Sequence, residues 1–326
     1  MQRHLAQLLD DTIRIVPEDA PAPRPGPGQL LVNVRAAGLN RGEILALRQS
    51  GSKAPAALGI EAAGEVAAAG PGCEGFREGD RVMGRCKGAF ADCVLIDARD
   101  AMPVPEPLSW AQAAALPIAS LVVYDMLVAQ GGLAEGEWLL ITGISSGVGA
   151  AALQLAKSMG ARVIGTSGSA GKLDTLAAHG LDLGIPTRGP DFHDAVMAAT
   201  GGRGVDLVVN IVGGTVLEAC VRSMAFQARL ATVGYVDGVT RAPLDLAAVH
   251  SRRLRLFGVS SKQLDAGQRQ ALARGVVRDV LPRMSDPRMQ PIIDRIVPFA
   301  QLADGIARME SNAHLGKIVA SDLPAR

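Results

Sequence analysis

A glycine-containing turn between two apolar runs is the part of this chain whose residue types best suit chemistry. Residues 138–166 read as a buried strand, a turn with Gly147 and Gly149, a helix and a second buried strand. Such a unit presents backbone N–H groups at a helix N-terminus, where partial positive charge favours a pyrophosphate. A glycine pair alone is weak evidence, but strands on both sides make the signal specific. The pattern predicts a dinucleotide site in which Ser146 and Val148 complete the turn.

The end of the second strand indicates which dinucleotide is bound. NAD enzymes usually place an acidic residue there to bind the ribose 2′-hydroxyl, whereas this strand ends in Thr-Ser-Gly-Ser. A 2′-phosphate would be repelled by an acid and needs hydroxyls and a cation instead, so the cofactor predicted is NADPH. The residues predicted to hold it are Thr166, Ser167, Gly168, Ser169, Lys172 and, as a second cation, Arg188. The alternative for Lys172 is a solvated residue in the first turn of a helix.

The elements that must position these residues follow an alternating strand–helix pattern, which is typical of a parallel sheet with right-handed crossovers. The strands are predicted at residues 138–142, 161–166, 181–185, 205–210, 228–234 and 254–259. The helices are predicted at 148–159, 171–178, 192–200 and 215–224, preceded by helical segments at 111–115 and 121–130 and followed by a long helix over 265–280. The first third of the chain instead alternates short β-type runs, at 30–36, 62–69, 81–84 and 90–96, with turn residues, which suits a small, mostly antiparallel barrel-like domain.

Composition excludes several classes of protein. The chain has 326 residues and a net charge of +1, so it can form two domains but has no electrostatic footprint for nucleic acid or an anionic membrane. No apolar run approaches the roughly 20 residues that cross a bilayer, and the first residues turn acidic too soon for a signal peptide. The sequence predicts a cytoplasmic protein with no nucleic-acid or membrane partner. Its four cysteines show neither C-x-x-C spacing nor a histidine at a metal-binding interval.

Several segments, in order along nearly the whole chain, resemble the medium-chain dehydrogenase/reductase superfamily, and within it the zinc-independent NADPH:quinone oxidoreductases. These segments are residues 36–43, 58–66, 79–82, 115–117, 145–149, 154–157 and 315–319. The resemblance implies an α/β protein with two parts: a Rossmann doubly wound parallel sheet and a GroES-like, mostly-β substrate domain. The Rossmann domain is expected over 118–262, and the substrate domain over 1–117 with a return of 263–326.

The resemblance also implies a site without metal. Zinc alcohol dehydrogenases of this superfamily hold catalytic zinc through two cysteines and a histidine, and the matching positions here are Asn40, Ile60 and Ile118. None of these can replace a thiolate or an imidazole in a tetrahedral site. Glu61, which remains from the zinc family's motif, and Glu43 are predicted to be structural, Glu43 as a charge partner.

The absence of a Lewis acid narrows the reaction class. Stabilising an alkoxide is the task that zinc performs, so hydride delivery to an electron-poor acceptor is the easier chemistry. Quinones and α,β-unsaturated carbonyls fit, because hydrogen bonds can hold their developing, delocalised charge. The chain is therefore predicted to reduce a small-molecule electron acceptor of this kind. An enoyl-thioester reductase is the alternative enzyme, and an NADPH-binding structural or regulatory protein with weak turnover is the alternative outside enzymes.

Two residues are predicted at the reacting atoms. Asn40 is expected at the nicotinamide and acceptor, where its amide can donate to a carbonyl oxygen, although its spacing fits a turn-forming Asn equally well. Tyr124 lies in a segment that resembles the family's nicotinamide-contacting helix, and a packing role is equally consistent. Gly234, Tyr235 and Ser260 follow strand ends on the cofactor side and are predicted to line the nicotinamide site.

The last predicted strand bears on assembly. The run from Leu254 to Val259 is expected at a sheet edge and is apolar enough to pair with its copy. Relatives often join two sheets in this way across a two-fold axis, so a homodimer is predicted.

Overall fold

The computed structural model describes residues 1–10 and 12–323, in two compact units. Unit 1 comprises Met1–Leu121 and Asp265–Arg326, and unit 2 comprises Val122–Leu264. The last three residues of the predicted return segment lie outside the described residues. In the described ranges, no helix has both the length and the apolar character needed to cross a bilayer.

The strands, numbered in chain order, are short to medium in length. They are β1 (Gln2–Leu9), β2 (Thr12–Asp19), β3 (Gln29–Gly38), β4 (Ala56–Ala57), β5 (Glu61–Ala69), β6 (Arg81–Cys86), β7 (Cys93–Pro103), β8 (Trp138–Thr142), β9 (Arg162–Thr166), β10 (Leu183–Ile185), β11 (Val205–Asn210), β12 (Met224–Thr232), β13 (Arg255–Gly258), β14 (Ile293–Val297) and β15 (Lys317–Ala320).

The α-helices alternate with strands in unit 2 and are scattered in unit 1. They are α1 (Arg41–Ser50), α2 (Trp110–Ala114), α3 (Pro117–Tyr124), α4 (Gly147–Ser158), α5 (Ala170–Ala177), α6 (His193–Ala199), α7 (Leu217–Arg222), α8 (Leu246–Ser251), α9 (Ala266–Asp279) and α10 (Leu302–Glu310). A π-helical turn spans Asp125–Ala129, and short 3-10 turns span Gly214–Val216, Ser261–Gln263, Leu281–Ser285, Pro287–Met289 and Phe299–Gln301.

Unit 1 is built on strands that close into a ring. Strand β3 pairs antiparallel with β5, β7 and β15, and β6 joins β5 to β7. Strand β14 runs parallel to β15 at the edge, so the end of the chain completes the sheet that the beginning starts. This arrangement places the start of α1 beside β15 and confirms the mostly-β part of the predicted fold class.

An antiparallel hairpin of β1 and β2 also belongs to unit 1, and the sequence analysis did not predict it. Its strands are largely half-buried or exposed, with Ala6 and Ile13 as their buried residues. A clean alternation of apolar and polar residues is therefore missing, and β2 contains Pro17, a residue uncommon within strands. The predicted strand 90–96 was also misplaced, because β7 begins at Cys93 and continues to Pro103.

Unit 2 is a six-stranded parallel sheet in the order β10-β9-β8-β11-β12-β13. This is the strand order of a doubly wound dinucleotide fold, whose binding crevice lies at the carboxyl ends of β8 and β11. The predicted fold class is confirmed, and two predicted strands, Trp138–Thr142 and Val205–Asn210, match residue for residue. The predicted edge position of the strand from Leu254 to Val259 is also confirmed, as β13.

The helical segment predicted around 121–130 is present, but it begins earlier and changes its hydrogen bonding along its length. Helix α3 begins at Pro117, a residue suited to a first helical position, and ends at Tyr124. The following turn widens, because the Gln130 N–H donates to the Asp125 carbonyl at 2.9 Å, which is a π-type bond.

Candidate cofactor and active site

The glycine turn of unit 2 forms the N-terminus of α4. Ser146 is the N-cap, and its Oγ accepts a hydrogen bond from the Gly149 N–H at 3.1 Å. A Cβ at Gly149 would lie 2.6 Å from the Ile144 carbonyl oxygen, so glycine is needed for the helix to approach this strand end. The first N–H groups of a helix have no acceptor within it, so Gly147 and Val148 stand where an anion is favoured.

The strand ends beside this turn are joined by hydroxyl groups. Ser167 Oγ lies 3.2 Å from Ser145 Oγ, and Thr166 Oγ1 accepts from the Gly143 N–H at 3.3 Å. The end of β9 is therefore fixed against the turn after β8. This brings the predicted ribose-binding residues next to the predicted pyrophosphate-binding residues.

Two cations accompany these hydroxyls. The Arg188 side chain lies very close to Gly168. A Cβ at residue 168 would collide with the Arg188 guanidinium group, so only a glycine leaves room for the arginine. Lys172 is half-buried in the first turn of α5, whose N-cap is Ser169. A cation is unfavourable at a helix N-terminus unless an anion offsets it. Lys172 thus occupies a position that an anionic group would stabilise, and Arg188 supplies a second cation beside Gly168.

The remaining predicted residues of unit 2 lie after strand ends or in α3. Gly234 follows β12, where a Cβ would lie 3.0 Å from the Ile211 carbonyl oxygen, and the Tyr235 side chain is 49% exposed. Ser260 follows β13 and caps the next 3-10 turn, its Oγ accepting from the Lys262 N–H at 3.4 Å. Tyr124 is buried at the end of α3.

The loop that carries Tyr235 is held in place by Asp237. Its carboxylate accepts from the Thr215 N–H at 2.8 Å, the Thr215 hydroxyl at 2.6 Å and the Val239 N–H at 2.8 Å. Burial is the largest single effect and raises the pKa of Asp237, but the hydrogen bonds from Thr215 and Val239 together outweigh it and hold the pKa below its usual value. An ionised Asp237 therefore fixes the loops after β11 and β12 to each other.

Unit 1 contains a polar cluster, which we call the Lys317 cluster and define as Asn40, Glu43, Glu61 and Lys317. Glu61 and Lys317 are buried, and Asn40 and Glu43 are half-buried. The Lys317 ammonium donates to Glu61 Oε1 at 2.5 Å, to Asn40 Oδ1 at 2.9 Å and to the Leu39 carbonyl at 3.1 Å. Glu61 is completely buried, and its Oε2 accepts from the Ile118 N–H at 2.8 Å. The ammonium and this carboxylate neutralise each other.

The Asn40 amide is engaged by the same cluster. Its Nδ2 donates to Glu61 Oε1 at 2.8 Å and, more weakly, to the Gly38 carbonyl at 3.4 Å. With Oδ1 held by Lys317, the orientation of the amide is fixed. The long bond to Gly38 is the one that an acceptor carbonyl could most easily replace, because hydrogen bonds weaken steeply at such distances.

Glu43 is the second carboxyl group of the cluster. Its Oε2 accepts from the Gly59 N–H at 2.5 Å, while its Oε1 is fully enclosed with no hydrogen-bond partner among the described residues. Burial raises the pKa of Glu43 to about 7, with the Glu61 charge adding to the rise and the Gly59 N–H, Lys317 and Asn40 opposing it. Within the described part of the chain, no group of three or more His, Cys, Asp or Glu residues is arranged to hold a metal ion.

Lys317 is the residue of this site that the sequence analysis missed, although its segment was recognised. It stands at the start of a strand whose four residues, Lys317–Ala320, are all buried. A lysine in an otherwise apolar strand is a detectable signal, because buried lysines almost always have a charged partner. That partner, Glu61, lies too far away in the chain for spacing to reveal it.

Two family models match the chain in the order expected from its two units. The alcohol dehydrogenase GroES-like domain matches residues 26–106, and the zinc-binding dehydrogenase model matches residues 147–274. The chain is 34% identical over 316 residues to the pikromycin polyketide synthase component PikAII of Streptomyces venezuelae. The aligned region covers 95% of this chain but only 8% of PikAII. The whole activity of that synthase therefore does not transfer by this similarity.

Two solved mycobacterial structures cover nearly all of both chains. One, determined in complex with NADPH, has a TM-score of 0.86 and 25% identity, covering 99% of this chain and 100% of the other. The other is described as a quinone oxidoreductase and has a TM-score of 0.84 and 25% identity, covering 98% of this chain and 100% of the other.

Proposed function

Since the chain belongs to the medium-chain dehydrogenase/reductase superfamily of oxidoreductases, we propose that it reduces a quinone or an α,β-unsaturated carbonyl with NADPH and without a metal. The observation that carries this proposal is the Lys317 cluster: Asn40, at a position where relatives ligate zinc, instead hydrogen-bonds to Lys317 at 2.9 Å and to Glu61 at 2.8 Å.

The donor set of unit 1 does not fit zinc. Ile60 and Ile118 have no ligating side-chain atom, and the oxygen of Asn40 faces an ammonium group at 2.9 Å. A divalent cation at this oxygen would be repelled by Lys317. The name of the zinc-binding family model therefore describes the superfamily, and no step of the proposed reaction uses a metal.

The residues of unit 2 fit NADPH. Gly147 and Val148 at the start of α4 would receive the pyrophosphate, Gly149 would let the helix approach the strand end, and the Ser167 hydroxyl, Lys172 and Arg188 would hold the 2′-phosphate. The mycobacterial structure solved with NADPH supports this choice. When bound, the cofactor supplies the hydride, and this chain's residues bind, orient and exclude water.

At the acceptor, we propose that Asn40 donates a hydrogen bond to the carbonyl oxygen in exchange for its bond to Gly38, while Lys317 keeps the amide in that orientation. Such a preorganised donor stabilises charge that develops on the oxygen. Tyr124, buried at the end of α3, is proposed to contact the nicotinamide, and Gly234, Tyr235 and Ser260 are proposed to line the same site.

An enoyl-thioester substrate is the second candidate. The 34% identity, over 95% of this chain, to a polyketide synthase component, PikAII, supports it. An enoyl thioester is also an α,β-unsaturated carbonyl. The same hydride transfer would serve both substrates. The enoyl thioester differs from a quinone or a simple enone in that it also carries a carrier group.

We further propose a homodimer that pairs β13 with its copy. Strand β13 is the edge of the unit 2 sheet, and Leu256 in it is 37% exposed. Light scattering at micromolar concentration should give twice the mass of the chain, and Leu256→Asp should give a single chain. A monomeric mass for the unaltered protein would contradict the proposal.

The test of the function is NADPH oxidation, followed by absorbance in parallel with NADH, against quinones, enones and enoyl thioesters in the presence of a metal chelator. We expect turnover that the chelator leaves intact and that prefers NADPH. Activity that is lost with the chelator and restored by zinc would overturn the metal-free reaction. NADPH binding without turnover on any acceptor would overturn the enzymatic function.

A further inference from the structure

The charges of the Lys317 cluster do not balance if both carboxyl groups are ionised. Lys317 supplies one positive charge, and Glu61, with hydrogen bonds from Lys317, Asn40 and the Ile118 N–H, is the carboxylate that matches it. Glu43 is a second carboxyl with a fully enclosed, unpartnered Oε1. An ionised Glu43 would leave the cluster with one uncompensated negative charge, part of it on an enclosed oxygen.

From this geometry we propose that Glu43 is a protonation switch for the acceptor site: its neutral form permits reduction, and its ionised form opposes it. The proposal rests on the function proposed above. Hydride transfer builds negative charge on the acceptor oxygen beside Asn40. A carboxylate at Glu43, three residues away in α1, would repel that charge, whereas the neutral acid leaves the Lys317 cluster balanced.

The groups around Glu43 leave it as the member that titrates near neutrality. From β5 it faces Glu61, from β15 Lys317, and from β6 the Cys86 thiol, whose pKa is raised mainly by burial and also by both carboxylates. Cys86 therefore remains a neutral thiol. The Glu61–Lys317 pair stabilises both of its own charges, and Glu43 has no comparable cation.

The decisive variant is Glu43→Gln, which keeps the shape of the neutral acid and an oxygen to accept from the Gly59 N–H. For the unaltered enzyme, kcat/KM should fall about tenfold per pH unit above the pKa of Glu43. For Glu43→Gln, the profile should stay flat to within about twofold, so that the variant is the faster enzyme at alkaline pH. Glu65→Gln, which removes an exposed partner of Arg35 in the same unit, should keep the unaltered profile.

A second readout needs neither cofactor nor turnover. A step in the infrared band of protonated carboxyl groups should be lost from the free protein as pH rises through about 7, and Glu43→Gln should lack that step. Parallel loss of activity in the unaltered enzyme and in Glu43→Gln would overturn the switch, as would the absence of the step. The step without turnover on any acceptor would instead overturn the proposed function, and the switch with it, while establishing the ionisation of Glu43.

Discussion

The Lys317 ammonium lies 2.5 Å from the Glu61 carboxylate, in a buried ion pair between residues 256 positions apart in the chain. Strand β15 brings the lysine back to the sheet that holds β5, because β3 pairs with both. The pair therefore ties the last strand of unit 1 to its interior and, through Asn40, fixes the amide that we place at the acceptor.

Breaking this pair should destabilise the protein strongly. Lys317→Met leaves Glu61 buried and uncompensated, so the free energy of unfolding should fall by about 3–5 kcal/mol. Chemical denaturation measures the change, and Glu61→Gln combined with Lys317→Met should recover part of it. Arg99→Met is the control, since its ion pair with Asp97 is largely exposed and screened by water, so its loss should change the free energy of unfolding far less. Equal losses for Lys317→Met and Arg99→Met would contradict a buried pair.

Glu43 should make stability depend on pH in the direction opposite to most carboxylates. Its pKa is raised from 4.5 to about 7, mainly by burial, so the folded protein holds this proton more tightly than the unfolded chain. The contribution is fully present below pH 4.5 and is lost as pH rises to about 7. Glu43→Gln should therefore gain stability relative to the unaltered protein across this window, measured by denaturation at several pH values. A constant difference between the two proteins would contradict the raised pKa.

The parallel sheet of unit 2 could be predicted because its strands are short, apolar and buried on both faces. Trp138–Thr142 and Val205–Asn210 illustrate this, since their burial is nearly uniform. The β1–β2 hairpin could not be predicted in this way, because its half-buried strands do not alternate apolar and polar residues with a period of two. Helix α1 was missed as well: with Ile44 and Leu47 as its buried residues, it has too narrow an apolar stripe.

The candidate site likewise has a part that local sequence patterns suggest and a part that they do not. The hydroxyls after β9 and the cation Lys172 are close in sequence, so spacing alone could suggest them. The Lys317 cluster is assembled by strand pairing between the two ends of the chain. Pairing of distant segments leaves no local pattern, and the fixed orientation of Asn40 became visible only in the structure.

Ser146 should contribute to stability as a helix cap. Its Oγ accepts from the Gly149 N–H at 3.1 Å, so Ser146→Ala should lower the free energy of unfolding by about 1 kcal/mol and Ser146→Gly by only a few tenths. Ser158→Ala, at the other end of α4, is the matched control and should cost less, because its hydroxyl bonds back to the Leu155 carbonyl. An Ala variant as stable as the unaltered protein would show that the cap contributes nothing.

Lys172 and Arg188 should decide between the two nicotinamide cofactors. A charge-assisted hydrogen bond to a 2′-phosphate is worth about 1.5–3 kcal/mol, so Lys172→Ala should weaken NADPH binding about 10-fold to 100-fold. NADH carries a hydroxyl there, and its dissociation constant should change by less than about twofold. Arg188→Ala should act in the same direction. Arg162→Ala, at the opposite end of β9, where the guanidinium lies over Trp138, is the control and should leave both constants unchanged. Fluorescence titration of each variant with both cofactors measures these effects. If Lys172→Ala weakened the binding of NADPH and NADH equally, the lysine would not bind the 2′-phosphate.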